Sequence, residues 1–519
     1  MNISTKLLKA AAGQAGGASL DVDEVFSTFL YDGTGSAQTI TNGIDLSGEG
    51  GLVWIKRRDG AGTSHDLEDT VRGAGKNLRS NTTTSEDNQS GSSGIGSFNS
   101  NGFTVIGSNN KTNASSLEYV SWTFRNSPMF QVVTWTGNSV SSSAQTISHN
   151  LGSDVGMILV KRVSNADSWA VWHRYNATGT GFLDLTNAFY TNISAGFISS
   201  VSSTSFSAGE SINVNGDTFV AYVFAHHDGD GGFGPDSDQD IIKCGSYTGN
   251  TSTRPSINLG FEPQFLMIKR TDSSDNWYML DTMRGILTNG GNDTYLYANT
   301  NGAEATVSEV LKVTATGFEL EDDFGGWNAS GGTYIYMAIR RGPLAVPEDA
   351  TKVFHANKFT STGFTEYTGV GFAPDLAIQK AVSSGDNWDV VDKLRGPSKA
   401  LETNSSDAEA TGTQYFLGGF LNNGVKMGSE TNGQFNGWNP NLHLYWKRAP
   451  GYFDVVAYSG TGSARTVSHN LGAVPEMIWV KCRSHAESWV IYHKNMDGSA
   501  PEDYGSYLDD SVGRVDSAN

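Results

Sequence analysis

The chain has 519 residues, 37% of them hydrophobic, with 12 Trp, 19 Tyr and 25 Phe, too long for a single core and too rich in large apolar side chains to stay disordered. A formal net charge of −19, from 35 basic and 54 acidic residues with no Lys/Arg cluster, argues against a nucleic-acid partner. Glycine is abundant (62, against 12 Pro) and sits with Ser, Thr and Asn between short apolar runs, which is the punctuation of hairpins in an all-β protein.

In chain order, residues 1–24 open with MNISTKLLKAAAGQAGG, where Lys9 interrupts the apolar stretch. This falls short of the roughly 20 apolar residues of a membrane span, so we expect no membrane insertion and read a segment that docks on a partner. Five units are expected next, at 25–128, 129–240, 241–350, 351–450 and 451–519, marked by apolar runs that end in lysine. These are LVWIK at Lys56, MILVK at Lys161, FLMIK at Lys269, LAIQK at Lys380 and MIWVK at Lys481, spaced by 105, 108, 111 and 101 residues. That period is too long for a solenoid turn and suits a complete sandwich. The fold class is therefore all-β, a tandem array of about five antiparallel β-sandwich units, jelly-roll or lectin-like, each with its own core.

Eight residues after the lysine stand Trp169, Trp277, Trp388 and Trp489, and in the first unit His65 lies near that position with one inserted residue. The fixed spacing predicts that all four tryptophans are core residues in equivalent places. Twelve after the lysine the units divide. Units one, three and four carry Asp followed by Arg-Gly (Asp69, Asp281, Asp392), whereas units two and five carry His173 and His493 and a preceding SHNLG. Asp281 with Arg284, and Asp392 with Arg395, are three apart at a strand end, and we expect structural ion pairs that fix the turn completed by Gly285 or Gly396. The order Asp, His, Asp, Asp, His points to duplication, as does the return of His149, Lys161, Trp169 and His173 in the same spacing as His469, Lys481, Trp489 and His493. Units close with aromatic strands (YVSWTF from Tyr119, FVAYVF from Phe219, YIYMAI from Tyr334, HLYWKR from His443), and the short joins between them predict a stiff rod. The fifth unit has no such strand, so a fragment of a longer protein is expected.

No residue is assigned to catalysis, to a cofactor or to a metal. The pairs His149/His173 and His469/His493 have no third ligand at a recognisable spacing. The acidic stretch 228–240 places Gly232 and Phe233 where a calcium loop needs Asp/Asn and Gly, so a solvated linker is expected. Cys244 and Cys482 follow lysines at similar strand positions, and repetition explains them better than a disulfide does. Nucleophile elbows, zinc helices and phosphate loops are missing from the sequence, which favours a non-enzymatic protein.

The STKLLKAAAG and VFSTFLYDGTG openings, the SHNLG…VKR…SWAVWH block and the IIKCGSYTGN…NLGFEP…IKR…NWYMLDTMRG block resemble a repeat family of tail-fibre and virion-surface proteins of marine tailed bacteriophages, including phages of cyanobacteria. The resemblance covers nearly the whole chain. It implies a virion location, a tail fibre or similar appendage in host attachment, and a homotrimer, with other virion proteins and a host surface glycan or protein as partners. A head-decoration protein, or a tail spike acting on host glycan, is the alternative reading.

Overall fold

The computed structural model describes residues 20–89, 91–138, 144–191, 193, 196–286, 292–308, 310–360, 366–382, 385–412, 417–427 and 440–516. Most of the expected docking segment, residues 1–19, lies outside them. Strands account for 43% of the structure and helix for 5%, and every ladder is antiparallel, so the chain is all-β.

Four units share one topology. In the first, the larger sheet runs Phe26–Asp32, Glu118–Arg125, Gly51–Arg57, Asp66–Asp69, and a three-stranded sheet of Gln38–Thr41, Gly102–Ile106 and Gly94–Asn99 faces it. Hence the opening strand pairs with the closing strand, the closing strand with the lysine strand, and the lysine strand with the one that follows the Trp position. The second, third and fourth units repeat this order around closing strands Thr218–His226, Thr333–Arg340 and Pro440–Trp446. The smaller hairpins are held so close that glycine is required at their turn: a Cβ on Gly424, at φ +149°, would lie 1.9 Å from the Tyr367 carbonyl oxygen.

The lysine strands of units one to three are buried on both faces, and this explains why they read as unbroken apolar runs instead of alternating. Val53 and Ile55 point into the first unit's own core with Ile40, Phe103 and Val105. Their neighbours Leu52 and Trp54 point the other way, into a second core that also takes Phe265 and Met267 of the third unit and much of the second. Units one, three and four thus have cores of their own, as the sequence led us to expect, but the first three units also share a further one. The first three are not a linear rod, because Phe26 and Trp122 of the first unit contact Phe265 of the third edge-to-face at centroid distances of 5.6 and 6.2 Å. The short joins let each unit fold back on the others. Residues 21–24, which we had placed with the docking segment, are also packed: Val22 is buried in the shared core and the Asp21 carboxylate accepts from the Leu344 amide at 2.8 Å.

Candidate functional site

The repeat residues meet at the junctions between units. Trp169 of the second unit donates its indole N–H to the Arg79 carbonyl of the first at 2.8 Å, and Trp277 of the third donates to the Phe182 carbonyl of the second at 3.0 Å. Trp489 of the fifth reaches the Glu402 carbonyl of the fourth at 2.7 Å. His65 then closes the circle. Its Nδ1 accepts from Trp54 at 2.8 Å, so Nε2 carries the proton and donates to the Tyr297 carbonyl of the third unit at 3.0 Å. The acceptors are equivalent: Phe182, Tyr297 and Glu402 each stand just before the amide that donates to the Trp carbonyl of their own unit. Two further contacts recur at these junctions. Four residues past the accepting carbonyl, Thr83, Thr186 and Ser406 accept from Lys161, Lys269 and Lys481 at 3.0, 2.9 and 3.1 Å. Seven past it, the amides of Glu86, Phe189, Glu304 and Glu409 donate to Val163, Thr271, Arg58 and Arg483. Units one to three thus form a closed ring with pseudo-threefold contacts, and units four and five repeat one of its junctions.

Burial accompanies this arrangement. Lys56, Lys161 and Lys269 are each lowered to about 8 by burial, although all three donate to backbone carbonyls, Lys56 to that of its own neighbour Arg57. Trp169, Trp277 and Trp489 are buried, but the wall around each includes the preceding unit. Trp388 is a correction: it is only half-buried, and among the described residues its indole N–H meets no acceptor. Equal spacing put it in the same place within its unit, but the neighbour that covers the others is not beside it.

The twelfth position is also explained by junctions. Asp281 Oδ2 accepts from Arg284 Nε at 2.6 Å, with both side chains fully buried, and Asp392 accepts from Arg395 at 2.5 Å. Asp281 Oδ2 additionally accepts from the Trp122 indole of the first unit at 3.1 Å, and Asp69 accepts from the Tyr222 hydroxyl of the second at 3.0 Å. Asp69 and Asp281 each face a donor on the closing strand of the unit that follows round the ring. The second unit faces Met337, which has no donor, and there His173 gives its Nε2–H to the Tyr336 carbonyl at 3.1 Å while Nδ1 accepts from the Tyr175 amide. Asp or His at this position is therefore matched to the neighbour. Sequence reasoning missed Tyr222, Trp122 and the glutamates Glu86, Glu304 and Glu409 that also pair with the arginines. The signal for two of them was present, since Arg72 and Glu86 stand in the same sequence spacing as Arg395 and Glu409.

Burial, outweighing its carbonyl partner, pushes His173 down to about 3. A histidine depressed below its unfolded value of roughly 6.5 stabilises the fold fully above that value and loses the contribution as pH falls towards 3. We expect the urea midpoint to fall through this window with a slope that His173→Gln reduces by about one proton. Parallel pH profiles for the two proteins would refute the assignment.

Elsewhere the described residues offer less. A buried ionic cluster joins the ring to the fourth and fifth units. Arg448 donates to both Glu262 oxygens at 2.7 and 2.6 Å and to Asp454 at 2.7 Å, while its amide donates to Asp375. Burial would raise Asp375, but Lys393, Arg341 and Arg448 hold it at about 2. A cleft of about 470 Å³ lies alongside, lined by Asp23, Phe26, Gln264, Lys393 and Asn422 among others, and its charged groups are largely paired with one another, as Lys447 is with Asp23. In the first unit Asp66 and Glu68 form a buried carboxylate pair, with Glu68 raised to about 9 by burial and by Asp66. Residues 228–240 are not simply a solvated linker, since Phe233 is buried against His227 and Asp240 accepts from the Gly229 amide. Among the described residues no cluster of three or more His, Cys, Asp or Glu is placed to hold a metal, no helix is long and apolar enough to cross a membrane, and Cys244 and Cys482 are free thiols.

A family model described as a domain of unknown function (DUF7483) matches residues 21–343 and 349–511. No curated protein matches the chain. The first matched stretch coincides with the three-unit ring, and the second with the fourth and fifth units.

Proposed function

We propose, for a chain that belongs to the DUF7483 domain family, that it is a non-enzymatic structural component of a virion, a tail fibre or similar appendage that takes part in host attachment. The observation that carries this is the junction repeated four times: most of the regularly spaced side chains, Lys161 and Lys269, Trp169, Trp277, Trp489 and His65, and the paired Asp69 and Asp281, are held between units. Residues spent on holding rigid modules together suit a scaffold whose loops meet the outside. The resemblance of the repeat blocks to virion-surface proteins supplies the location, a homotrimer, attachment to other virion proteins through the N-terminal segment, and a host glycan or protein as the distal partner. Gold-labelled antibody against the chain, applied to purified particles, is expected to decorate the tail. Label confined to the head means a decoration protein instead, and release of reducing ends from host envelope glycan by the purified chain means a tail spike.

A further inference from the structure

The cleft of about 470 Å³ beside the ionic cluster lies where units one, three and four meet. Asn422 of the fourth unit fixes two of its walls to each other, since its Oδ1 accepts from the Leu30 amide at 3.0 Å and its Nδ2 donates to the Thr28 carbonyl at 2.8 Å. Arg448 ties on the third wall through Glu262. The space is therefore preformed. Five cations and three carboxylates line it, an excess of positive charge in a chain of net charge −19. Arg341 and Arg448 pair with Glu262, Lys393 with Asp375 and Lys447 with Asp23. That leaves the exposed Lys352, which has no carboxylate within ion-pair distance among the described residues. Thr28 is left over in another way. It stands on the same strand face as Phe26, which packs against the third unit, and it is 4% exposed, yet its hydroxyl has no partner. The rest of the lining mixes hydroxyl and amide groups, such as Thr282 and Gln264, with the apolar side chains of Met283 and Phe372.

We propose that this cleft binds an acidic sugar unit, a pyranose that carries a carboxylate, with Lys352 taking the carboxylate and Thr28 a ring hydroxyl. Each part of the ligand answers one feature of the lining. An unpaired ammonium calls for an anion, and a buried hydroxyl without a partner calls for a hydrogen-bonding group. The remaining hydroxyl and amide groups suit further sugar hydroxyls, and the apolar wall suits the C–H face of the ring. A bare phosphate or sulfate would leave both unused. The volume falls within the roughly 300–1,000 Å³ of small-molecule sites. The inference rests on the function proposed above only in taking the sugar from a host glycan.

The test is calorimetric titration of the whole chain with sodium glucuronate, which is expected to fill one site. Glucose, which lacks the carboxylate, should bind about fivefold more weakly, as befits one exposed ion pair. Lys352→Ala should weaken glucuronate by the same factor and leave glucose unchanged. Thr28→Val should weaken both sugars about fivefold, while the free protein melts no lower, because the change removes a buried hydroxyl that has no partner. A linear tetramer of glucuronate should bind at least as tightly as the monomer. No binding of either sugar overturns the site, and glucose as tight as glucuronate, or an unchanged Lys352→Ala, overturns the acidic sugar. Unchanged affinity in Thr28→Val overturns the role given to Thr28. A tetramer weaker than the monomer removes the link to a glycan, and the labelling of particles then decides the virion reading on its own.

Discussion

Replacing Trp277 by alanine is expected to destabilise the three-unit ring by about 3–5 kcal/mol, while the same change at Trp388 alters stability by no more than about 1 kcal/mol. The two tryptophans stand at the same point of the repeat, so residue type and local backbone are matched. What differs is the wall. Trp277 is 1% exposed, touches Phe189 of the second unit at a centroid distance of 6.1 Å, and satisfies the Phe182 carbonyl. Its loss opens a cavity at a junction and leaves that carbonyl without its donor, whereas Trp388 already has one side in water. Urea unfolding followed by amide exchange near residue 182 separates the two. Similar losses at both positions would show that burial within the unit, and not the neighbour, sets the energy.

The second large effect is expected at Arg448. Truncation to alanine removes the only cation that bonds Glu262 through both oxygens among the described residues, and it leaves Glu262 and Asp454 buried near each other, their side chains 4% and 7% exposed. Removing one partner of a buried ion pair costs about 3–5 kcal/mol, and Arg341, 3.4 Å from Glu262 and 3.9 Å from Asp454, holds the loss at the lower end of that range. Because the cluster ties the ring to the last two units, the loss should appear in calorimetry as separation of the melting of units four and five from that of units one to three. Arg448→Lys keeps the charge but not the fork, and it should fall between the two. A single unsplit transition in the alanine variant would mean that the cluster does not couple the two halves.

The strands, the two-sheet units and the ion pairs were legible because each is written locally: an apolar run, a turn rich in glycine, an Asp three residues before an Arg. The junctions were not, since spacing says that Trp169, Trp277 and Trp388 occupy one environment within a unit but is silent on which other unit supplies the far side. The same limit hid the meaning of the Asp/His division. Its cause lies at Trp122, Tyr222 and Met337, each more than a whole unit away in sequence from the position it selects, and on strands that otherwise look alike. The expectation of a rod failed for a related reason, because short joins restrict reach without setting direction. Only the packed faces, Leu52 and Trp54 against Phe265 and Met267, decide that the third unit returns to the first.

The junction has polarity, since the tryptophan face of one unit meets the carbonyl face of the one before it. Such heterologous contacts either close on themselves or continue as a filament, and identical subunits offer no means of telling one position from another. Here the three positions belong to one polypeptide, and they differ: histidine takes the place of tryptophan at the seam where the ring shuts, and histidine replaces aspartate at one of the three outward pairings. The ring is thus an asymmetric trimer encoded in a single chain. Its three sides can diverge independently, and a loop on one side can change without being copied to the other two.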